Sequence, residues 1–128
     1  MNYLMMGLCG VLGVFARFGI SRCTALWVES QGLASYYAVL GTLGINILGS
    51  FLLGVVVALD GRSGASGGVL VQTLGVGFLG AFTTFSAFSV EVLGFVRGGQ
   101  WGLAMGYGAG SVILGVGAAA LGYFAWAK

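Results

Sequence analysis

The sequence has no proline and no histidine, and it carries only five basic and three acidic residues along its 128 positions. Without histidine, and with the carboxylates far apart in sequence, the chain lacks the groups that hydrolytic, metal-assisted and acid–base catalysis require. The basic residues are scattered, so no positive stripe can neutralise a phosphate backbone. We therefore expect neither an enzyme nor a protein that binds nucleic acid.

Cysteine is also scarce. Cys9 and Cys23 form no C-x-x-C motif and have no histidine nearby, so the sequence indicates neither a metal site nor a redox motif. Free cysteine is among the residue types that are most often buried in proteins. We expect both to be small buried side chains.

Apolar residues, at 59%, and glycine, with 26 copies, are abundant. This balance is typical of integral membrane proteins and lies far outside that of soluble domains. Requiring about twenty residues per crossing gives four apolar blocks, at 3–27, 36–59, 68–96 and 101–126. The first lacks the basic segment and the cleavage site of a secretory signal, so we interpret it as a retained helix. The sequence thus predicts an all-α membrane protein with four transmembrane helices in one domain, 1–128.

Connectors and glycines indicate how these helices are arranged. Residues 60–67 have the composition of a turn, and the other two connectors are short enough to make neighbouring helices antiparallel. Gly102, Gly106 and Gly110 recur every four residues. Such spacing lets helix backbones approach closely in a membrane, so we expect this face of the last helix to be a packing surface.

The charges near the membrane surfaces are balanced. With four crossings, Arg62 and Lys128 lie on one side and Arg22 and Arg97 on the other. Because an excess of Lys and Arg in cytoplasmic loops normally fixes orientation, this chain has almost no preferred orientation. The balance predicts a dual-topology homodimer of antiparallel copies, related by an axis in the membrane plane.

Residues 77–88, in the third block, combine glycines, paired threonines and two phenylalanines three positions apart. Such a stretch favours a break near the middle of the third helix. Backbone polar groups freed by a break at membrane depth persist only where they are buried in protein or line a hydrated path. The break therefore suggests transport.

Polar side chains inside the spans are costly in hydrocarbon and usually face the bundle interior or a water-filled cavity. Two stripes combine them with small residues, on the second and the fourth helix: Thr42, Asn46, Gly49 and Ser50, and Tyr107, Ser111 and Gly115. Neutral amide and hydroxyl donors without a fixed cation suit a small anion, and the positive edges of Phe85 and Phe88 can face one weakly. Taken alone, Asn46 is better explained as a hydrogen bond between helices, and it is the neighbouring donors of the two stripes that favour a role toward an anion.

Two charged residues fall within the apolar blocks. Arg17 lies late in the first predicted helix, where it either anchors the helix by reaching the interface or attracts anions to a vestibule. Glu91 is expected to pair with Arg17 or with Arg97, and its charge argues against direct contact with an anion.

The sequence resembles the fluoride channel family called Fluc or CrcB over nearly its whole length. Four motifs, in order and at compatible spacing, carry the resemblance: Gly10-x-x-Gly13-x-x-x-Arg17, residues 41–51, residues 77–88 and residues 107–111. The third motif, with its Thr83-Thr84 pair, is the most specific of them.

The resemblance implies a dual-topology homodimer in the bacterial inner membrane that releases cytoplasmic fluoride passively through two antiparallel pores. It implies a structural sodium ion at the dimer centre, held by the backbone carbonyls of Gly80 and Thr83, and we expect Gly80 to need dihedral angles that a β-branched residue cannot reach. The partners implied are fluoride, membrane lipid and a second copy. Including the polar stripes, the predicted fluoride pathway consists of Asn46, Phe85, Phe88, Ser111, Tyr107, Ser86 and Thr42.

The sequence departs from the family pattern at two positions. Many relatives have threonine where this chain has Ala87, which leaves Ser86 as the only hydroxyl there, and Gly115 offers no hydroxyl one turn beyond Ser111. Both departures concern the exit half of the pathway.

Two other functions fit parts of the sequence. A small dual-topology drug/proton antiporter also has four helices and balanced charges, but it needs a membrane-embedded carboxylate, for which Glu91 is the only candidate. An assembly subunit without transport activity explains the glycine-rich packing but not the break.

Overall fold

The structure, a computed structural model, describes residues 3–62 and 68–127. Helix α1 spans Tyr3–Ser30, and a 3₁₀ turn at Ser35–Ala38 leads into α2 at Val39–Arg62. A π-helical segment at Val71–Leu79 continues into α3, Gly80–Phe82, and α4 follows at Phe85–Arg97. Helix α5 spans Trp101–Trp126.

The predicted all-helical architecture with four apolar spans is confirmed. Within residues 3–62 and 68–127, four helical stretches are long and apolar enough to cross a membrane, namely Tyr3–Ser30, Ser35–Arg62, Val71–Arg97 and Trp101–Trp126. Each is between 26 and 28 residues long, which at about 1.5 Å per residue exceeds the roughly 30 Å of a hydrocarbon core.

Two helices extend beyond the predicted blocks. Residues 60–62 were predicted to belong to a turn, but α2 continues through them to Arg62. A basic side chain at this position interacts favourably with the negative C-terminal end of the helix dipole. The rest of that connector, 63–67, lies outside the described residues.

Helix α1 also extends beyond its predicted block. It continues to Ser30, and Gly32 then adopts a left-handed φ of 63°. The Leu33 amide bonds the Val28 carbonyl at 3.1 Å, which closes the helix end.

Glycines bring α2 and α5 into backbone contact. A Cβ atom on Gly54 would overlap the carbonyl oxygen of Ala119, and one on Gly122 would overlap that of Phe51. In hydrocarbon no hydrophobic force drives helices together, so close backbone approach at small residues supplies the packing energy. These contacts fix α5 against the face of α2 that carries Gly54.

Glycines also join α1 to the π-helical segment. A Cβ on Gly13 would overlap the Phe78 carbonyl oxygen, and one on Gly77 would come within 2.8 Å of the Met6 carbonyl oxygen. The backbones of the first and third spans are therefore in contact on the N-terminal side of Thr83.

The face of α5 that we predicted to pack is not used within the described chain. A Cβ on Gly102, Gly106 or Gly110 would meet nothing within 4 Å among the described residues. The contacts with α2 lie further along the helix, at Ala119 and Gly122.

The expectation for the cysteines was also wrong in part, because Cys23 is exposed and Cys9 is only partly covered.

The buried core is small. Ile45, Val56, Leu79 and Phe82 form one cluster, whereas large apolar side chains on all four spans are exposed. This distribution is expected where the surrounding medium is lipid rather than water.

The π-helical segment was not anticipated. Within it, amides bond carbonyls five residues earlier, and the Gly80 amide still bonds the Gly75 carbonyl in this way. π-Helical stretches are rare and usually comprise a single turn inside an α-helix, frequently beside functional sites. Here the segment leads directly into the short helix α3.

Replacing Gly54 with alanine tests the role of backbone contact. We expect Gly54→Ala to lower the free energy of unfolding by about 1–3 kcal/mol, because its Cβ overlaps the Ala119 carbonyl. Gly117→Ala on α5 is the matched control, since its Cβ would meet no described residue within 4 Å. Thermal unfolding in detergent, followed by tryptophan fluorescence, measures both. Equal stability of the two variants would contradict the packing argument.

Candidate functional site

The third span contains a two-residue step in extended conformation. Thr83 has ψ of 159° at the end of α3, and Thr84 has φ of −149° and ψ of 118° before α4 begins at Phe85. The amide and the Oγ1 hydroxyl of Thr83 both donate to the Leu79 carbonyl, each at 2.9 Å. We refer to Thr83 and Thr84 as the step.

Asn46 on α2 holds the second residue of the step at two points. Its Nδ2 donates to the Thr84 carbonyl at 3.0 Å, and the Thr84 amide donates to its Oδ1 at 2.9 Å. Side-chain amides carry both a donor and an acceptor, so one residue satisfies both main-chain groups of Thr84. The predicted Asn46 stripe thus faces the third span.

Side chains also satisfy the start of α4. Thr84 is its N-cap, and its Oγ1 accepts from the Ala87 amide at 3.2 Å, a bond that compensates for one of the unpaired amides at a helix N-terminus. The Ser86 hydroxyl lies 3.3 Å from the same oxygen. Ser86 therefore points back toward the step.

Because of these bonds, two backbone amides do not bond the carbonyls that they would bond in a continuous helix. In an α-helix the Thr84 amide would bond the Gly80 carbonyl, and the Ala87 amide would bond the Thr83 carbonyl. Here the first bonds Asn46 and the second bonds the Thr84 hydroxyl. Gly80 and Thr83 thus each lose their helical donor.

Gly80 itself has ordinary helical geometry. Its φ is −64° and its ψ is −34°, values that any L-residue adopts. The expectation that Gly80 needs dihedral angles closed to β-branched residues is therefore wrong. Leu79, directly before α3, and Phe82, its last residue, are buried.

A cavity of about 230 Å³ lies beside the step. The described residues that line it are all uncharged: Asn46, Gly49, Ser50, Leu53, Leu79, Gly80, Thr83, Thr84 and Phe85. Phe85 is 79% exposed, so the cavity lies at the surface of the single chain. Amide, hydroxyl and peptide groups therefore meet at one place without a fixed charge.

The aromatic residues after the step form a series of ring contacts. The ring centroids of Phe85 and Phe88 are 5.7 Å apart, and those of Phe88 and Tyr107 are 5.2 Å apart. Tyr107 also meets Phe95 edge-on at 6.0 Å. The series connects the step to α5.

Glu91 lies at the end of this series with hydroxyl partners. Thr42 Oγ1 donates to one of its carboxylate oxygens and the Tyr107 hydroxyl to the other, both at 2.6 Å. Such short bonds are typical of hydroxyl donors to a carboxylate. The sequence suggested Arg17 or Arg97 as the partner of Glu91, whereas its contacts in the structure come from α2 and α5. Thr42 and Tyr107, two predicted donors to an anion, both direct their protons at Glu91.

A second cavity, of about 240 Å³, reaches Glu91 from the connectors. Its lining includes Ser35 before α2 and Gln100 before α5, together with Tyr36, Val39, Gly94 and Phe95. Because Ser35 and Gln100 flank spans, this cavity opens toward one membrane surface.

Two further predicted residues lie apart from these clusters. Arg17 is in the middle of α1, not late in it as the predicted block implied, because the helix continues to Ser30. Its Nε and the Ser111 Oγ are buried and have no hydrogen-bond partner among the described residues. Gly115 faces α2, where a Cβ would lie 3.7 Å from Ser50 Oγ.

The structure brings the predicted residues into two groups. Asn46, Gly80, Thr83 and Phe85 share the cavity beside the step. Thr42 and Tyr107 bind the Glu91 carboxylate, and Phe88 packs against the Tyr107 ring. The sequence did not predict that Thr84 is the hydrogen-bond partner of Asn46. The available signal was a threonine directly before Phe85, because threonine is a preferred N-cap residue; this marks the start of α4 but does not identify Asn46 as the partner.

The comparisons with known proteins agree over most of the chain. The family described as CrcB-like protein, Camphor Resistance (CrcB), matches residues 4–123. The fluoride-specific ion channel FluC of one Thermus thermophilus strain is 41% identical over 122 residues, which cover 95% of this chain and 91% of that protein. The FluC protein of Deinococcus radiodurans is 43% identical over 94% of this chain and 90% of its own length.

A third relative, the fluoride-specific ion channel FluC of Novosphingobium aromaticivorans, is 52% identical over 107 residues, covering 84% of this chain and 81% of that protein. The prediction that the chain is not an enzyme is confirmed, because these relatives are ion channels. The four apolar spans and these bacterial relatives also confirm the predicted location, a multi-pass protein of a bacterial membrane. The chain belongs to the CrcB family.

Proposed function

We propose that the chain is a fluoride-selective channel. The observation that carries this proposal is the cavity beside the step, where amide, hydroxyl and peptide groups meet at membrane depth and none of the described residues in its lining is charged. Non-helical backbone at that depth is tolerated only where it is buried in protein or lines a water-filled cavity. The relatives that cover more than nine-tenths of the chain are named fluoride-specific ion channels, which supports fluoride as the ion.

Selectivity follows from the kind of groups along this path. Fluoride is small and strongly hydrated, so it needs short hydrogen-bond donors to replace water. Asn46 has one Nδ2 proton beyond the one it donates to Thr84, and Ser111 has a buried hydroxyl without a partner among the described residues. The ring edges of Phe85 and Phe88 add weak attraction. A larger anion fits this track poorly.

The functional assembly is an antiparallel dual-topology homodimer with two pores. The polar cavity beside the step lies at the surface of one chain, and in hydrocarbon such groups require cover by protein. A second copy supplies that cover and closes each pore. The balance of Arg62 and Lys128 against Arg22 and Arg97 permits both orientations. Each copy acts as one four-helix domain over residues 1–128.

A sodium ion at the centre of this dimer fits the groups present. Gly80 and Thr83 each have a carbonyl whose helical donor is redirected, and neutral main-chain oxygens in an unwound segment are suitable ligands for sodium. Among the described residues, no group of three or more His, Cys, Asp or Glu side chains offers a metal site. Two copies would contribute four such carbonyls, and the ion would hold the two steps together.

Fluoride release is passive in this proposal. A drug/proton antiporter would rest on Glu91, but Glu91 binds Thr42 and Tyr107 within the chain, and the relatives that match the chain are named ion channels. Arg17, in the middle of α1, either anchors that helix or attracts anions toward the pore.

Ion flux from proteoliposomes tests the function. We expect fluoride efflux through the reconstituted chain and at least about a hundredfold slower chloride efflux, because the donors along the track replace the hydration shell of the smaller ion only. A fluoride electrode and a chloride electrode measure the two ions in matched vesicles, and protein-free vesicles serve as the control. Equal efflux of both anions would overturn fluoride selectivity, and exchange of a drug for protons would favour the antiporter.

Labelling of a single cysteine tests dual topology. In a chain carrying Cys9→Ser and Cys23→Ser, an impermeant maleimide should label Gly61→Cys on about half of the molecules in intact cells and on the rest after permeabilisation. The matched control adds Ser63→Lys and Ser66→Lys, which should restrict that connector to the cytoplasmic side. Labelling of the parent from one side only would contradict the antiparallel dimer.

Dimer stability in different cations tests the sodium site. Because an ion that binds only the folded dimer stabilises it by mass action, the melting temperature should increase with sodium concentration. Above the dissociation constant, each tenfold increase adds about 1.4 kcal/mol per bound ion. A large organic cation at the same ionic strength is the control. Identical melting temperatures in both cations would exclude the site.

A further inference from the structure

We propose that Asn46 is a positioning residue: together with Gly49 it forms a receptor on α2 that holds Thr83 and Thr84 in the extended conformation. The transport consequences of this proposal rest on the channel function proposed above, whereas its structural part does not. It adds a structural role to the one proposed above, in which the remaining Nδ2 proton of Asn46 is a donor to the passing ion.

The geometry at Thr84 is that of a paired β-residue. In an extended residue the N–H and the C=O point to the same side, and in a sheet an opposing residue exchanges both bonds with it. The Asn46 amide takes the place of that opposing residue, with bonds of 2.9 and 3.0 Å. Only one proton of the amide remains for any other partner.

Asn46 also determines which carbonyl loses its donor. The Thr84 amide has two candidate acceptors, the Gly80 carbonyl in a continuous helix and Asn46 Oδ1 in the observed structure. A buried amide without an acceptor is costly, so without Asn46 the chain would gain by rewinding toward the helical bond. The side chain on α2 thus favours the extended step over the continuous helix.

Gly49 makes room for the other residue of the step. It lies three positions after Asn46, on the same face of α2, and a Cβ there would overlap the Thr83 methyl group. Since Thr83 also binds Leu79 through its amide and hydroxyl, that methyl group cannot shift without loss of these bonds. Asn46 binds one residue of the step, and Gly49 accommodates its neighbour.

The position of the phenylalanines depends on this receptor. Phe85 follows Thr84 directly as the first residue of α4, and Phe88 lies one turn later. A change in the Thr84 dihedral angles rotates both rings relative to α2. We therefore expect the receptor to control selectivity between anions and not only the amount of folded channel.

The experiment compares two receptor variants, Asn46→Ala and Gly49→Ala, with two controls on the same helix. Gly44→Ala matches the glycine variant, because a Cβ at Gly44 would have no contact within 4 Å in the part of the chain that the structure describes. Leu48→Ala matches the other, because Leu48 is 47% exposed. For each full-length chain, hydrogen exchange of the Thr84 amide is measured in detergent, and fluoride and chloride efflux are measured from vesicles.

We expect both receptor variants to exchange the Thr84 amide about tenfold faster than the parent, the effect of losing one hydrogen bond. Both should also show an increase of about tenfold in the ratio of chloride to fluoride efflux. A mere loss of folded protein would lower both fluxes and leave their ratio unchanged. The controls should match the parent in exchange and in the ratio.

The result that would overturn the proposal is an Asn46→Ala chain that loses fluoride flux while its Thr84 amide stays as protected as in the parent. Parental exchange and selectivity in Gly49→Ala would also overturn it. If Asn46→Ala does not fold, Gly49→Ala decides alone, because it leaves the amide in place. A parent without fluoride flux would defeat the channel proposal, while Thr84 exchange would still decide whether Asn46 and Gly49 hold the step.

Discussion

The structure depends on one constraint, which is that every backbone N–H and C=O group inside the hydrocarbon layer needs a partner within the protein. Helical hydrogen bonds meet this requirement along the four spans. At Thr83 and Thr84 the helix is interrupted, and side chains take over: Asn46 binds both main-chain groups of Thr84, and the Thr84 hydroxyl binds the Ala87 amide. An irregular backbone persists there because a neighbouring helix supplies the bonds.

Close backbone packing between the helices brings α2 within hydrogen-bond distance of the step. Helix α2 contacts α5 at Gly54, and α1 contacts the π-helical segment at Gly13. Between these contacts, Gly49 lets the step approach α2 within reach of the short Asn46 side chain. Glycine packing and the polar groups of the cavity are therefore parts of one arrangement, and a bulky residue at these contacts would separate the donors from their acceptors.

The sequence was sufficient for the parts of the fold that depend on composition and length. Four apolar blocks predicted four spans, because about twenty apolar residues have few alternatives to crossing a bilayer. Helix ends were less predictable: α1 ends only where Gly32 adopts a left-handed φ and Leu33 bonds Val28. Several glycines have suitable spacing for such an end or for packing, and the sequence does not distinguish them.

The candidate site shows the same division. Polar stripes on two helices identified Thr42, Asn46 and Tyr107 as inward-facing, since polar groups in a span must find partners. Their partners come from tertiary contacts, which a linear pattern does not contain. Glu91 therefore meets Thr42 and Tyr107 rather than an arginine, and Gly80 is helical although its position suggested an unusual conformation.

The π-helical segment Val71–Leu79 has a consequence for how the third span tolerates changes in length. A ring closed between residues five apart uses more residues per turn than the α-helical ring, so the segment accommodates additional chain without a bulge into the lipid. Its C-terminal end is fixed, by the contact of Gly13 with Phe78 and by the bonds from Thr83 to Leu79. Single-residue insertions and deletions N-terminal to these anchors can therefore be absorbed as interchange between π- and α-helical turns, while the residues of the step keep their places.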